Sequence, residues 1–404
     1  MTFDEILNAA IQKGATDVHL KAGIMPVIRR HGLLRPLNST TPPLTGEMIE
    51  RMAMDLLNER QRAQLLEQNE IDLGHGVSGL GRFRISIFKQ RGTYRIVARI
   101  IPHKVPNFEE LYLPAVLSQI TQNERGLVLI TGVAGSGKSS TLAAMIDDIN
   151  RRDSKHILTI EDPIEFLIRD RKSLITQREI GIDSNSFSSA LRAGLRQDPD
   201  VILIGEMRDR ETIENALLAA ETGHLVFSTL HTLDATETIN RILAAFDSGQ
   251  QSQVRMQLAA VLKAVVSQRL ASRKDGSGLV PAVEVLINSA RVRELIESPS
   301  ATGQIRQAVE EGAAYGMRSF DQSLMELINR DLISYDEALL HCTRPEDFRI
   351  RYEGFTAMDG KKWSQSGLYD KKVGDQWRNV TEVEIILPTE LKKRQKGNDD
   401  GEKK

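Results

Sequence analysis

The sequence is short of several things, and each shortage removes a class of function. Among 404 residues it holds one cysteine, Cys342. One thiol builds neither an intramolecular disulfide framework nor a cysteine-rich zinc site, and such usage fits a reducing compartment. Aromatic residues make up 5% and the formal net charge is −2. No stacking platform for nucleic acid and no bulk pull toward polyanions is therefore expected. No run of about 18 apolar residues occurs, so no direct membrane insertion is expected. The first five residues, Met1 to Glu5, are acidic and precede no long apolar run, unlike a secretory signal.

What is present points to an enzyme of several parts. Hydrophobic residues reach 40%, enough for real cores, and the length favours two or three domains. Residues 1–105 read as a small α+β domain. It has a helical stripe at Leu7, Ala10 and Ile11, strands over 17–20 and 26–34 with a turn at Gly32, and a charged helix over 46–69. Alternating strands over 82–88 and 94–101 complete it. Residues 106–288 change character. Short strands apolar on both faces, at 126–131, 156–160, 201–204 and 224–229, alternate with helical segments. Such strands belong in a parallel sheet covered by helices, so the expected fold class is α/β. Residues 289–349 read as a helical subdomain with Ser319 and Ser334 as N-caps. Residues 350–404 carry Trp363, Trp377, a strand-like run over 380–387 and a lysine-rich end of disordered composition.

The sharpest motif is Gly-x4-Gly-Lys-Ser: Gly132, Val133, Ala134, Gly135, Ser136, Gly137, Lys138 and Ser139, with Ser140 next. It follows an apolar strand and opens a segment with Leu142, Met145, Ile146 and Ile149 at helical spacing. That context marks a P-loop that wraps backbone N–H groups around ATP phosphates. Lys138 would reach the β and γ phosphates, and Ser139 would hold Mg²⁺. Carboxylates stand where two other strands end. Glu206 follows 201–204 in the Walker B position, a second Mg²⁺ contact directly or through water. Glu161 and Glu165 are candidates for the general base, and spacing leaves the choice open. His224 and His231 flank the strand 224–229. A histidine beside a γ-phosphate can sense it, although on spacing alone a structural role is as good a reading. Arg82, Arg84 and Arg99 lie on the N-terminal strands. They matter only if an oligomer presents them to a neighbour's ATP.

Taken together, these segments closely resemble the type IV pilus retraction motors, the PilT family of bacterial secretion ATPases. The matching stretches are 132–139, 159–165, 195–206, 220–224 and 228–232, with 16–20, 81–84, 176–179, 267–268 and 316–324. The resemblance covers about residues 3–348 and implies a PAS-like N-terminal domain, a RecA-like core and a homohexamer with ATP between subunits. By the same resemblance Glu165 is the base, Glu206 the Walker B carboxylate, and His224 and His231 site residues. Arg82, Arg84 and Arg99 would reach nucleotide from an adjoining N-domain. The motor would act at the cytoplasmic face of the inner membrane on a pilus platform protein, in some systems beside other pilus ATPases. Three features depart from the family. Ala134 stands where threonine is usual. Arg291-Val-Arg-Glu-Leu-Ile296 differs at three positions from the retraction motif. Residues 350–404 have no counterpart in the short retraction motors, although accessory members of the PilU type carry C-terminal additions. The alternatives are therefore an accessory retraction ATPase and, further off, a RecA-like nucleic-acid translocase.

Overall fold

The computed structural model describes residues 2–357 apart from 31, 39–41 and 103. The run 380–387, both tryptophans and the lysine-rich end lie outside the described residues. Compactness divides the chain after Ser323.

The first sheet is antiparallel throughout. It comprises β1 (Asp17–Lys21), β2 (Val27–Arg30), β3 (Leu33–Pro36), β4 (Glu70–Val77), β5 (Gly81–Gln90) and β6 (Thr93–Ile100), in the order β3-β2-β1-β6-β5-β4. Alternation sorts its faces. Val18, Leu20, Phe83, Ile85, Ile87, Ile96 and Ala98 are buried in a core with the helix Phe3–Gln12. That helix starts at a capping box between Thr2 and Glu5 and buries Phe3, Ile6, Leu7 and Ala10, one face of a 3.6-residue period. Arg82, Arg84 and Arg99 alternate with the buried positions and stand on the opposite face. The helix expected over 46–69 is broken into Gly46–Leu56 and Glu59–Gln68. Asn58 restarts it, accepting the Gln61 N–H at 2.9 Å while its own N–H donates to Gln61 Oε1 at 3.1 Å.

The second sheet comprises β7 (Gly126–Thr131), β8 (His156–Glu161), β9 (Leu174–Glu179), β10 (Val201–Ile204), β11 (Leu225–Leu230), β12 (Leu262–Ser272) and β13 (Leu279–Ile287). Their order is β13-β12-β7-β11-β10-β8-β9, and every neighbouring pair is parallel except β12 with β13. Every residue of β7, β10 and β11 is buried. Two separate apolar clusters flank them, so both faces of these strands are covered. The fold is α/β with a mostly parallel sheet and helices after it, as the alternation of apolar strands and helices implies. Ser334 caps Tyr335–His341 through the Glu337 N–H at 3.1 Å, and Ser319 accepts the Gln322 N–H at 3.3 Å. Past Ser323, Tyr335 stacks on Tyr352 with ring centroids 4.2 Å apart.

One buried carboxylate ties β13 to the loop after β11. Glu284, only 6% exposed, accepts the Ala235 N–H at 2.9 Å, the first amide of the helix Ala235–Ala244. Burial pushes its pKa up to about 7, against the Ala235 hydrogen bond; Asp234 raises it further, and Arg269 and Arg306 pull it down. The folded state therefore holds this proton more tightly than the unfolded chain. The stabilisation is complete below the ordinary carboxylate range and disappears as pH rises to about 7. Glu284→Gln should remove that dependence. We expect the variant's melting temperature to gain on the wild type between pH 5 and pH 8, by an amount that reflects about 3 kcal/mol at most. Parallel pH–melting curves would show that Glu284 does not titrate there.

Candidate functional site

The P-loop conformation follows from its glycines. Gly132, Gly135 and Gly137 have φ of +141°, +79° and +91°, a region side chains avoid. At Gly132 space also excludes a side chain: a Cβ would lie 2.5 Å from the Gln268 carbonyl and from Ser136 Oγ. Gly137 precedes the helix Lys138–Arg152 and provides no side-chain cap. The first-turn amides thus have no acceptor from the helix itself, which is the arrangement that receives anions. Ser136 Oγ is buried without a partner. Lys138, 8% exposed, donates to the carbonyls of Gly132 at 2.8 Å and Val133 at 2.9 Å. Burial lowers its pKa, opposed by attraction to Glu206. An orphaned hydroxyl, a cradle closed to Cβ atoms and an ammonium satisfied only by loop carbonyls fit a phosphate chain. Ser139 and Ser140 follow on the same first turn, and Val133 and Ala134 form the exposed rim.

Around the loop opens a cleft of about 500 Å³, the scale of a nucleotide site. It is lined by Ala134, Gly135, Lys138 and Ser139, by Glu161 and Glu165, by Glu206 and His231, and by Arg84 and Arg99. The carboxyl ends of β8, β10 and β11 bring the acidic groups and His231 together, because parallel strands in register end side by side. Glu206 accepts from Arg208 Nε at 2.7 Å, and His231 Nε2 lies 3.6 Å from its other oxygen. Gly205 hydrogen-bonds the Ile160 carbonyl at 2.7 Å, so the Glu206 backbone is pinned to β8.

The two candidate bases differ sharply. Glu161 accepts from Thr159 Oγ1 at 2.7 Å, Gln177 Nε2 at 3.1 Å and the Glu165 N–H at 3.3 Å. Burial raises its pKa against the Thr159 and Gln177 hydrogen bonds. Glu165 is 47% exposed, with Arg84 Nη1 at 3.8 Å as its nearest ion partner. Asp162 also lines the cleft, its pKa raised by burial and by Glu206.

Within one chain the arginines and His224 fall in different places. Arg84 and Arg99 line the cleft within their own chain, where the outward face of β5 and β6 meets the carboxyl ends of the second sheet. Arg99 also donates to Asp17 at 2.9 Å; burial works to raise that carboxyl, and the Arg99 and Thr16 hydrogen bonds hold it below its ordinary range. Arg82 does not line the cleft. It donates to Glu179 at 2.5 Å. His224 is not in the cleft of its own chain either. It precedes β11 while His231 follows it, and a strand of this length separates them by roughly 20 Å. Its Nδ1 instead pairs with the Ala219 carbonyl at 2.9 Å, closing the helix Arg210–Glu221.

Sequence reasoning missed other cleft residues. Phe166, Ile168 and Phe187 form apolar walls, and no periodicity distinguishes a cleft wall from a core residue. Gln268, within the matching stretch 267–268, stands on β12 outside the cleft lining and donates to Thr141 of the P-loop helix at 2.8 Å. Among the described residues no cluster of three or more histidine, cysteine, aspartate or glutamate side chains forms a metal cage, and no helix is long and apolar enough to cross a membrane. One hydroxyl and one carboxylate suffice for Mg²⁺, which takes its remaining ligands from phosphates and water.

The strand–loop–helix cradle at the carboxyl end of an interior strand of a mostly parallel sheet, with carboxylates at nearby strand ends, defines a P-loop ATPase. The chain belongs to the type II/IV secretion system protein family, whose model matches residues 1–331. It is 44% identical over 348 residues to the type IV pilus retractation ATPase PilT of Pseudomonas aeruginosa, covering 86% of this chain and 100% of that protein. It is 38% identical over 350 residues to the type IV pilus ATPase PilU of the same organism, covering 87% and 91%. A crystal structure of the pilus retraction motor PilT with bound ADP superposes with a TM-score of 0.80 at 41% identity, covering 86% of this chain and 98% of that one.

Proposed function

We propose that this chain is a cytoplasmic motor that hydrolyses ATP to drive retraction of a type IV pilus. It would work as a homohexamer on a platform protein at the inner membrane. The observation that carries the reading is the cleft itself, in which the phosphate cradle and Glu165, Glu206 and His231 converge with arginines from a second region of the chain. The match to the retractation ATPase PilT over that protein's whole length supports the cellular role.

The geometry supports the following roles. Lys138 and the P-loop amides bind and orient the β and γ phosphates. Ser139, and Glu206 through water, would hold Mg²⁺, which would supply charge neutralisation at the phosphates. Glu165 is the general base. Both Glu161 oxygens are engaged, one by Thr159 on β8 and Gln177 on the adjoining β9 and the other by the Glu165 amide, whereas the Glu165 carboxylate is half-exposed at the cleft. His231, beside Glu206, senses the γ-phosphate, and Arg84 and Arg99 neutralise developing charge from the N-terminal sheet. On this reading the chain divides into 1–105, 106–288, 289–349 and 350–404, and the first region would move against the second. His224 would act at a cleft only from another copy. No stripe of basic and aromatic residues supports a nucleic-acid translocase.

The match to PilU, covering 91% of that protein, favours a second reading, an accessory retraction ATPase dependent on another motor. A deletion strain scored for pilus retraction separates the two. Full-length chain should restore retraction, and Lys138→Ala, with turnover cut by about 10²-fold or more, should not. Normal retraction in the deletion strain would sink the primary-motor reading. Residues 1–350 in the same assay test the added segment.

A further inference from the structure

We propose that Arg82 and Glu179 form a latch that couples seating of the N-terminal sheet to the position of Glu165. Both are positioning residues, and the inference rests on the reading of Glu165 as base.

Glu179 is the last residue of β9 and is 2% exposed. Its Oε2 accepts from Arg82 Nη2 at 2.5 Å, across from the N-terminal sheet. The same oxygen accepts the backbone N–H of Ile164 at 3.1 Å. Ile164 is 3% exposed and immediately precedes Glu165. The next amide, that of Glu165, donates to Glu161. Two successive amides of this loop are therefore held by two carboxylates, and one of those carboxylates is shared with the other region of the chain.

The latch is braced on both sides. The Glu179 N–H donates to Asp183 Oδ2 at 2.8 Å, which holds the end of β9. On the other side β4 presents Gly74, where a Cβ would overlap Glu179 Oε1 and lie 2.8 Å from Arg82 Nη2. Only a residue without a side chain lets the N-terminal sheet approach this closely. A buried carboxylate needs its cation, since a charge left alone in such a place is expelled or neutralised. When the N-terminal sheet moves away, Arg82 leaves Glu179, and the oxygen holding Ile164 loses the charge that keeps it buried. The loop bearing Glu165 then loses its fixed position. Hydrolysis is thereby confined to the seated arrangement, although Arg82 itself touches no part of the cleft.

The test uses the full chain and three variants: Arg82→Ala, Arg82→Lys and Glu179→Gln. Steady-state ATP hydrolysis is measured, together with hydrogen exchange of the segment containing Ile164 in the absence of nucleotide. A misplaced base costs turnover more than binding, so Arg82→Ala should lower kcat by about 10–100-fold with KM within about threefold. Exchange at Ile164 should rise by about tenfold or more. Arg82→Lys should recover part of kcat, because an ammonium still offers a positive charge to Glu179. Glu179→Gln keeps an acceptor oxygen but removes the negative charge that holds Arg82 and should lower kcat in the same direction, which covers the case in which Arg82→Ala fails to fold. An Arg82→Ala protein with unchanged kcat and unchanged exchange at Ile164 would overturn the latch. So would a raised KM at constant kcat, which would make Arg82 a nucleotide ligand. If Glu165→Gln retains turnover, the base assignment fails, while exchange at Ile164 in Arg82→Ala still reports on the latch itself.

Discussion

Glu165→Gln is expected to lower ATP turnover by about 10²–10⁴-fold, the range a positioned general base contributes, while nucleotide affinity changes by less than about threefold. The substitution keeps the shape of the side chain and removes its ability to accept a proton. Affinity should persist if, as proposed, Lys138 and the loop amides hold the phosphates, since Glu165 pairs instead with Arg84. Glu161→Gln is the matching control. Burial already favours the neutral form of Glu161, and its hydrogen bonds run to Thr159, Gln177 and the Glu165 amide. A neutral amide there should cost less than about tenfold in turnover, through a small shift of the loop. Single-turnover hydrolysis and binding of a fluorescent ADP analogue separate the two quantities. A larger loss from Glu161→Gln than from Glu165→Gln would reverse the assignment.

Gly132→Ala should abolish measurable nucleotide binding and lower the melting temperature by several degrees. Two costs combine. At φ +141° a residue with a Cβ carries strain of about 1–3 kcal/mol. The added carbon would also lie 2.5 Å from both the Gln268 carbonyl and Ser136 Oγ. Gln268 is 1% exposed and belongs to β12, which is paired on both sides. That wall cannot retreat, so the P-loop must move out of its phosphate-binding curvature. Ala134→Thr provides the contrast. Ala134 is exposed on the rim, so the threonine usual in the family should change the melting temperature by less than a degree or so, as surface substitutions do. Calorimetry with and without ADP measures both effects. A Gly132→Ala protein that binds ADP normally would mean that β12 yields.

The relation between sequence and structure is uneven in an instructive way. β7, β8 and β10 stand out in the sequence because they are apolar on both faces and bounded by polar turns. β9 does not, since Leu174–Glu179 is a half-polar edge strand. β12 is missed for another reason. The helix Ser248–Val261 passes directly into Leu262 with no glycine or proline between them, so no local signal marks the change. The break at Asn58 was legible as Asn-x-x-Gln, but a charged surface helix masks it.

The sequence by itself determined the phosphate cradle, the α/β class and the set of carboxylates, because each depends on near neighbours along the chain. Glycine at 132, 135 and 137 and the strand before them act within a few residues of one another. Tertiary structure alone decided which of these groups meet. Sheet register placed His231 beside Glu206 and left His224 at the far end of β11. Packing of the N-terminal sheet against the core brought Arg84 and Arg99 to their own chain's cleft and turned Arg82 toward Glu179. Burial separated Glu161 from Glu165, four residues apart and chemically identical. Those outcomes depend on contacts between residues up to about a hundred positions apart, whose geometry is set by packing and not by local propensity.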